Sequence, residues 1–225
     1  MKKLVVLSGA GVSAESGIKT FRDSGGLWEG YKIEEVATYD AWVRNPTMVQ
    51  DFYNMRRKNV LEVDPNEAHY LLKELENKYH VQIVTQNVDN LHERAGSKNV
   101  LHVHGLITQA KSTINDSLIY DIDGWELKMG EVCELGSQLR PNIVWFGESV
   151  PAIEQAVKLV QEADMMLVIG TSLQVYPAAG LIDYFNPQNK LYVIDPNSLP
   201  IRNYNNLVSI QEVASKGMQR LLELI

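Results

Sequence analysis

Several features that would define other protein classes are scarce in this sequence. Cys133 is the single cysteine among 225 residues, so no disulfide can form within the chain. No apolar run approaches the ~18 residues of a membrane span, and the run after residues 1–3 is too short for the apolar core of a signal peptide. Basic runs do not exceed residues 56–58 and the net charge is −7, which disfavours nucleic-acid binding and favours attraction of a basic substrate. These absences predict a cytoplasmic protein that contacts neither membrane nor nucleic acid.

The composition is that of a packed globular body. Hydrophobic residues make up 45% and charged residues 22%, enough for one large domain or one domain with a smaller inserted module. Short β-branched runs alternate with helix-length segments, which is typical of a parallel sheet. We therefore predict an α/β fold with a Rossmann-like, doubly wound parallel sheet, whose strands cover residues 4–7, 81–84, 143–146, 166–169, 191–194 and 207–210.

Two stretches interrupt this alternation. Residues 18–64 contain no clear strand, although Asn45-Pro46 predicts a helix start, and Asp64-Pro65 predicts another helix that runs to about Lys78. Residues 106–140 show short alternating segments, at 117–120 and 126–128, typical of antiparallel strands. We predict that the two stretches form one small module. The expected division is a sheet domain of residues 1–29, 65–105 and 141–225 and a module of residues 30–64 and 106–140.

The first predicted strand is followed by a Gly-rich turn, GAGVSA at residues 9–14. It fits the G-x-G-x-x-A pattern that brings backbone amides to a pyrophosphate, although a tight turn packed for space is about as consistent with the pattern alone. The position after the first strand favours phosphate binding. A dehydrogenase would next need an acidic residue at the end of a second strand, but residues 16–28 have loop composition. Hydride transfer is therefore disfavoured, and the loop with Phe21 and Arg22 is interpreted as a lid over the nicotinamide half of a cofactor rather than as a surface loop.

Polar residues also follow the strand at residues 81–84. The segment TQNVDN at residues 85–90 carries amides and a carboxylate where α/β proteins place ligands. His104 follows further along. Because the chain also contains His69, His80, His92 and His102, spacing alone does not select a functional histidine.

Taken together, these motifs resemble those of one family, the sirtuins, which are NAD-dependent protein deacylases. The matching segments occur in the family's order and cover nearly the whole chain: GAGVSAESGI at residues 9–18 with Phe21-Arg22, TQNVDNLH at 85–92 with Ala95-Gly96, His104-Gly105, LRP at 139–141, VWFGE at 144–148, GTS at 170–172 and DPN at 195–197.

The resemblance implies a reaction in which the acyl oxygen of a modified lysine attacks the nicotinamide ribose of NAD. Nicotinamide leaves, an alkylamidate forms, and His104 acts as general base on a ribose hydroxyl, which suits the ordinary pKa of imidazole near ~6.5. The products are free lysine and O-acyl-ADP-ribose. Asn87 would orient a water or the ribose, Asp89 would hold the carboxamide, and His92 would be structural.

The resemblance also implies which residues bind NAD and the substrate peptide. Phe21 would shield the reactive ribose carbon from water. Residues 144–148 would pair with the peptide as an added strand, through Val144, Phe146, Gly147 and Glu148. The implied NAD contacts are Gly9, Ala10, Gly11, Ser13, Ala14, Glu15, Thr20, Phe21, Arg22, Gln86, Asn87, Asp89, His104, Gly170, Thr171, Ser172, Asn197 and Ala214.

A finer resemblance concerns the acyl group. Ala37, Tyr53 and Arg56 are similar to residues of the class III branch of the family, which removes succinyl and malonyl groups. Tyr53 and Arg56 lie three apart on a predicted helix, so a hydroxyl and a guanidinium would together hold a terminal carboxylate, while Ala37 leaves room. The alternative is a surface arginine paired with Asp51 or Glu62. We expect succinyl and malonyl groups to be favoured, with acetyl removal possible.

The sequence departs from the family at its metal site. Sirtuins usually carry two cysteine pairs between the histidine and the R-P motif, which hold structural zinc in tetrahedral geometry. Residues 105–140 contain only Cys133 and no histidine. We therefore predict no metal, with a module held by apolar packing of Leu118, Ile119, Tyr120, Trp125 and Leu127.

Other functions remain open for the same pocket. One is NAD-dependent protein ADP-ribosyl transfer or plain NAD hydrolysis, since each shares the expulsion of nicotinamide. Another is a non-catalytic NAD-sensing module, which the presence of His104, Asn87 and Asp89 disfavours. The expected partners are acyl-lysine proteins or peptides. The oligomeric state is left open, and a monomer is compatible with the sequence.

Overall fold

The computed structural model describes residues 1–20, 27–28, 30–201 and 204–225. In chain order its strands are β1 (Lys3–Ser8), β2 (Leu27–Trp28), β3 (Tyr31–Lys32), β4 (His80–Thr85), β5 (Val100–His102), β6 (Gly105–Ser112), β7 (Ile119–Asp121), β8 (Leu139–Ile143), β9 (Met165–Ile169), β10 (Lys190–Ile194) and β11 (Leu207–Ile210). The α-helices are α1 (Gly11–Ala14), α2 (Ile33–Val36), α3 (Tyr39–Arg44), α4 (Pro46–Glu62), α5 (Glu67–Glu74), α6 (Leu91–Arg94), α7 (Ile153–Gln161) and α8 (Ala214–Leu222), with 3₁₀ turns at Leu75–Asn77 and Ala178–Tyr184.

A six-stranded sheet in the order β11-β10-β9-β1-β4-β5 forms the larger part of the molecule, and its paired strands run parallel. Apolar clusters cover both faces, because Leu4 and Val6 pack with α5 and α8 residues on one side while Val5 and Leu7 pack with α7 residues on the other. Burial on both faces explains why these strands are continuous apolar runs. The predicted Rossmann-like α/β fold is confirmed, with a second, small antiparallel sheet beside the first.

The prediction of a parallel-sheet strand at residues 143–146 is wrong. The strand here is β8, which pairs with β6 in the small antiparallel sheet, ordered β7-β6-β8. Residues 144–146 form no sheet ladder, because their amides bind other groups around the cavity described below. Residues 126–128 are also not a strand, since both backbone groups of Leu127 are bound by the side chain of Asn54.

The sequence predicts two helix starts from proline, and the structure confirms one of them and moves the other. Asn45 caps α4 by accepting from the amide of Met48, with Pro46 in the first turn, as predicted. The helix expected from Asp64 instead begins at α5, because the side chain of Asn66 accepts from the amide of Ala68. A cap two residues later therefore sets the start of α5.

The module's apolar centre is smaller than predicted. Leu127, Cys133 and Leu139 are buried around Ala110, with Leu118 and Tyr120 packed against them. Two residues predicted to join this packing are largely exposed, Ile119 (47%) and Trp125 (42%). That part of the prediction is wrong.

Buried polar contacts from α4 also join the two stretches of the predicted module. Gln50 Nε2 and Asn54 Nδ2 donate to the carbonyl of Leu127 at 2.8 and 3.0 Å, and Asn54 Oδ1 accepts from the Leu127 amide at 2.9 Å. Arg57 donates to the carbonyls of Ile107 (2.6 Å) and Trp125 (2.8 Å). These three side chains, Gln50, Asn54 and Arg57, follow the helical spacing and form what we call the α4 clamp.

Within the described residues, no helix is both long enough and apolar enough to cross a membrane. The predicted division into two parts stays a prediction, and β8 runs across the expected boundary between residues 140 and 141.

Candidate active site

The turns after β1 and β9 meet at the carboxyl edge of the parallel sheet. The amide of Gly11 donates to the carbonyl of Gly170 at 2.8 Å, and a Cβ added to Gly11 would lie only 2.8 Å from the Cα of Gly170. Gly170 has φ +60°, and a Cβ there would lie 2.4 Å from the amide nitrogen of Val12. Any side chain would therefore fill the space between the two turns. Such an edge, where the strand order reverses at β1, is where doubly wound folds bind dinucleotides.

A cavity of about 480 Å³ opens at this edge. Phe21 and Arg22, predicted to cover it, lie outside the described residues. The other predicted site residues all line it: Gly9, Ala10, Gly11, Ser13, Ala14, Glu15, Thr20, Ala37, Tyr53, Arg56, Gln86, Asn87, Asp89, His104, Val144, Phe146, Gly147, Glu148, Gly170, Thr171, Ser172, Asn197 and Ala214.

Ser13 joins the two polar side chains that follow β4. Asn87 Nδ2 donates to the Ser13 hydroxyl at 3.1 Å, and that hydroxyl donates to Asp89 Oδ2 at 2.9 Å. The Leu91 amide donates to Asp89 Oδ1. Burial raises the pKa of Asp89, although these hydrogen bonds oppose the rise. The cluster therefore holds an amide and a carboxyl group in fixed orientation at the cavity wall.

His104 presents one ring nitrogen to the cavity. Its Nδ1 lies 3.1 Å from the carbonyl oxygen of Gln86. A carbonyl only accepts, so Nδ1 carries the proton and Nε2 keeps its lone pair. Burial lowers the pKa of His104, opposed by the bond to Gln86, which favours the neutral imidazole. The geometry therefore suits a general base.

The structure separates the other histidines from this role, since none of the four lines the cavity. His92 and His69 are fully buried and their rings lie 5.0 Å apart. His102 lies between the carbonyl of Asn87 and the carboxylate of Glu93. Both partners of His102 only accept, so both of its ring nitrogens donate, and its pKa is raised by Glu93 against the opposing effect of burial.

Another part of the cavity wall is formed by Ala37, Tyr53 and Arg56, of which the last two belong to α4. Arg56 is only 8% exposed and its guanidinium lies 5.8 Å from the ring centre of Phe52. Burial raises the pKa of Tyr53 to about 12, although the nearby Arg56 acts to lower it. A neutral hydroxyl and a buried cation thus share this part of the cavity wall, and the alternative of a surface arginine does not agree with the burial of Arg56.

Residues 144–148 form one edge of the cavity. The amide of Val144 donates to the carbonyl of His104, and that of Phe146 to the carbonyl of Ala37, each at 2.9 Å. The carboxylate of Glu148 accepts from the amide of Trp145 at 2.8 Å. Phe146 also forms an isolated parallel bridge with Thr38. Among the described residues, the Gly147 amide and the Val144 carbonyl have no hydrogen-bond partner, so these two groups are left to pair with a peptide.

Glu148 was predicted to contact substrate but is engaged within the protein. Arg140 donates two hydrogen bonds to its carboxylate, at 2.7 and 2.9 Å. Burial alone would raise the pKa of Glu148, but these bonds lower it. The geometry gives Glu148 a part in holding the edge segment.

Several lining residues were not singled out from the sequence. Trp145 is the clearest, because it lies inside the quoted VWFGE motif and is 1% exposed. Its size and its position between two predicted contacts were the available signal. The remaining apolar wall had no distinguishing pattern: Ile18, Ile33, Val60, Val88, Ile143, Val150, Val175 and Val213.

No group of three or more His, Cys, Asp or Glu side chains among the described residues is arranged to hold a metal ion. The buried thiol of Cys133 instead contacts the hydroxyl of Ser112 at 3.3 Å.

A glycine-walled cleft at the strand-order reversal, with a neutral histidine and an amide–carboxyl cluster beside it, defines a dinucleotide-using α/β protein. The model of the Sir2 family matches residues 9–177. The chain belongs to the Sir2 family.

Curated relatives and solved structures are similar to this chain over nearly its whole length. An NAD-dependent protein deacylase of Bacteroides thetaiotaomicron is 50% identical over 100% of this chain and 98% of its own, and one of Helicobacter pylori J99 is 52% identical over 99% and 94%. The crystal structure of a Sir2 homolog–NAD complex superposes with a TM-score of 0.90 at 37% identity, covering 99% of this chain and 89% of that one. A Sir2 protein with a deacetylated peptide and 3'-O-acetyl ADP-ribose gives 0.82 at 31% identity, covering 98% and 92%.

Proposed function

We propose that this enzyme removes acyl groups with a terminal carboxylate, succinyl and malonyl, from lysines of proteins or peptides, with acetyl as a poorer substrate. At the coarser level, the chain is an NAD-dependent protein deacylase that uses NAD as cosubstrate. The observation that carries the finer proposal is Arg56, a buried guanidinium that lines the cavity near Tyr53. We call the part of the cavity lined by Ala37, Tyr53 and Arg56 the acyl end, and the part at the glycine turns the NAD end.

Charge explains the preference. A terminal carboxylate offers two oxygens to a guanidinium, and a charge-assisted pair of this kind is stronger than a contact between neutral groups. The neutral hydroxyl of Tyr53 adds one donor. An acetyl group would meet the same pocket without a charge to offer, so it would gain less from binding there.

Each polar residue of the NAD end has a role in the proposed chemistry. NAD supplies the electrophilic ribose carbon, and the glycine turns leave room for its pyrophosphate. The Nε2 of His104 takes a proton from a ribose hydroxyl, since its Nδ1 is committed to Gln86. Asp89, fixed by Ser13, holds the carboxamide, and Asn87 orients the ribose or a water. The expected products are nicotinamide, free lysine and O-acyl-ADP-ribose.

The peptide would lie along residues 144–148. The free Gly147 amide and the free Val144 carbonyl support recognition of the peptide backbone, as in strand addition. Side chains of the target would then contribute less to selection than the acyl group does. ADP-ribosyl transfer or NAD hydrolysis would need only the NAD end, and the presence of the acyl end therefore favours deacylation.

A mass-spectrometric assay with NAD and matched acetyl-, malonyl- and succinyl-lysine peptides tests both levels. We expect Arg56→Met to lower kcat/KM for desuccinylation by about 100-fold or more, since a charged hydrogen bond pair contributes about 3 kcal/mol, and to change deacetylation far less. Lys58→Met is the matched control, because Lys58 lies on the same helix but is exposed.

The assay distinguishes a failure of acyl recognition by Arg56 from a failure of deacylation itself. Equal losses on succinyl and acetyl peptides would remove Arg56 from acyl recognition. Consumption of NAD without loss of any acyl group would instead support hydrolysis or ADP-ribosyl transfer.

A further inference from the structure

Trp145 links the two recognition surfaces of the cavity. Its indole Nε1 donates to the hydroxyl of Tyr53 at 3.1 Å, in the acyl end. Its backbone belongs to the edge segment, between Val144 and Phe146. The ring is buried, with 1% of the residue exposed. One side chain thus connects the place where a peptide would lie with the hydroxyl that would meet the acyl group.

Arg140 and Glu148 together hold Trp145 in position. The guanidinium carbon of Arg140 lies 3.4 Å from the ring centre of Trp145, in cation–π geometry. Arg140 itself is 4% exposed and is held by Glu148 and by the carbonyl of Ile143 at 2.9 Å. Glu148 also binds the backbone amide of Trp145. Ring and backbone are therefore held by the same ion pair.

The hydrogen bond constrains the Tyr53 hydroxyl. A phenol has one proton to donate, and the indole N–H can only donate, so the Tyr53 oxygen accepts here and its own proton remains available. No acceptor for that proton is found among the described residues. Because burial keeps the phenol neutral, the proton is retained at neutral pH. A carboxylate beside Arg56 would be its natural acceptor.

We propose that Trp145, clamped by the Arg140–Glu148 pair, is a positioning residue for acyl specificity, which orients the Tyr53 hydroxyl toward the terminal carboxylate of the acyl group. This inference rests on the proposed preference for acidic acyl chains. It assigns Arg140 and Glu148 an indirect role, since they act through the indole and not on the substrate.

A double-mutant cycle tests the inference. Trp145→Phe keeps an aromatic ring and removes the N–H, and Tyr53→Phe removes the hydroxyl. The measured quantity is the ratio of kcat/KM for succinyl- and acetyl-lysine peptides, with kcat and KM separated for each. We expect Trp145→Phe to lower this ratio by about 5- to 10-fold, mainly through a higher KM for the succinyl peptide, as for the loss of one hydrogen bond. In the Tyr53→Phe background the same change should alter the ratio by less than twofold.

Each other outcome has a definite meaning. If Trp145→Phe lowers the ratio equally in both backgrounds, or leaves it unchanged while Tyr53→Phe lowers it, the positioning role is overturned and the acyl preference stands. If Tyr53→Phe leaves the ratio unchanged, the acyl role of Tyr53 fails, and the inference fails with it. Should Trp145→Phe not fold, Arg140→Lys takes its place in the cycle, because it keeps the charge but loses the two-pronged contact with Glu148; the same loss of coupling is expected.

Discussion

The two ends of the cavity are built by different means. At the NAD end, Gly9, Gly11 and Gly170 bring backbone so close together that no side chain fits between the turns. At the acyl end, the wall is a chain of side chains, from Glu148 through Arg140 and Trp145 to Tyr53, contributed by separate segments. The NAD end therefore requires particular small residues at fixed spacing. The acyl end can be altered by changing one side chain, as expected for the part of the site that we propose selects the acyl group.

The largest effect expected from a single change lies at the junction of the two ends. Among the described residues His104 is the one histidine that lines the cavity. His104→Ala removes the proposed general base, so deacylation should fall by about 100- to 10,000-fold, the usual contribution of such a group. Rates with saturating NAD and acyl peptide measure this, and the melting temperature checks that the fold is intact. His80→Ala is the control, because His80 is exposed at the start of β4. Near-normal turnover of the His104 variant would contradict the assignment of His104 as general base.

A smaller effect should arise behind the acyl end, in the α4 clamp. Asn54→Ala leaves the Leu127 amide without its partner and takes an acceptor from Arg57, whose Nη1 lies 2.7 Å from Asn54 Oδ1. Two buried donors losing partners should destabilise the protein by about 3 kcal/mol. Denaturant unfolding measures the change.

The exposed asparagine at the start of α4 offers a contrast. Asn45→Ala removes a helix cap and should cost about 1 kcal/mol. If Asn54→Ala lowers the free energy of unfolding by no more than Asn45→Ala does, the α4 clamp contributes no more stability than an ordinary helix cap.

A further effect on stability depends on pH and comes from His69, which packs against His92. Burial lowers the pKa of His69 from its ordinary 6.5 to about 4. The unfolded chain therefore binds more protons than the folded one between these values, so stability is full above pH 6.5 and declines as the pH falls toward 4. His69 alone should reduce the free energy of unfolding by about 2 kcal/mol between pH 7 and pH 5.

Denaturant unfolding across that range checks the expectation. His69→Gln keeps an acceptor for the amide of Asn66, which His69 Nδ1 binds, and should flatten the pH dependence by about that amount. An unchanged slope would mean that His69 does not titrate on unfolding.

The difference between the two ends also explains what could be predicted from sequence. The glycine turns, the TQNVDN segment and His104 are contiguous motifs, and both the parallel fold and the NAD-dependent deacylase predicted from them are confirmed. The prediction of a parallel strand at residues 143–146 was wrong because composition alone does not distinguish it from a buried strand. Trp145 in this run is buried by its contacts with Arg140 and Tyr53, and not by a place in the parallel sheet. The α4 clamp was not anticipated, since Arg57 belongs to a short basic run whose usual place is the surface. The roles of Tyr53 and Arg56, the absence of zinc, the cytoplasmic location and the oligomeric state stay predictions.

Helix α4 faces two ways. Tyr53 and Arg56 line the cavity, while Gln50, Asn54 and Arg57 hold Leu127, Ile107 and Trp125 of the module. If ligand binding stabilises a helix, then stabilising the same helix by other contacts strengthens binding by an equal free energy. If an occupied acyl pocket steadies α4, it also steadies the module, and the tightness of the module in turn sets how strongly the pocket holds an acyl chain. Substitutions in the surface loops of the module would then change the acyl preference, although no residue that touches the substrate is altered.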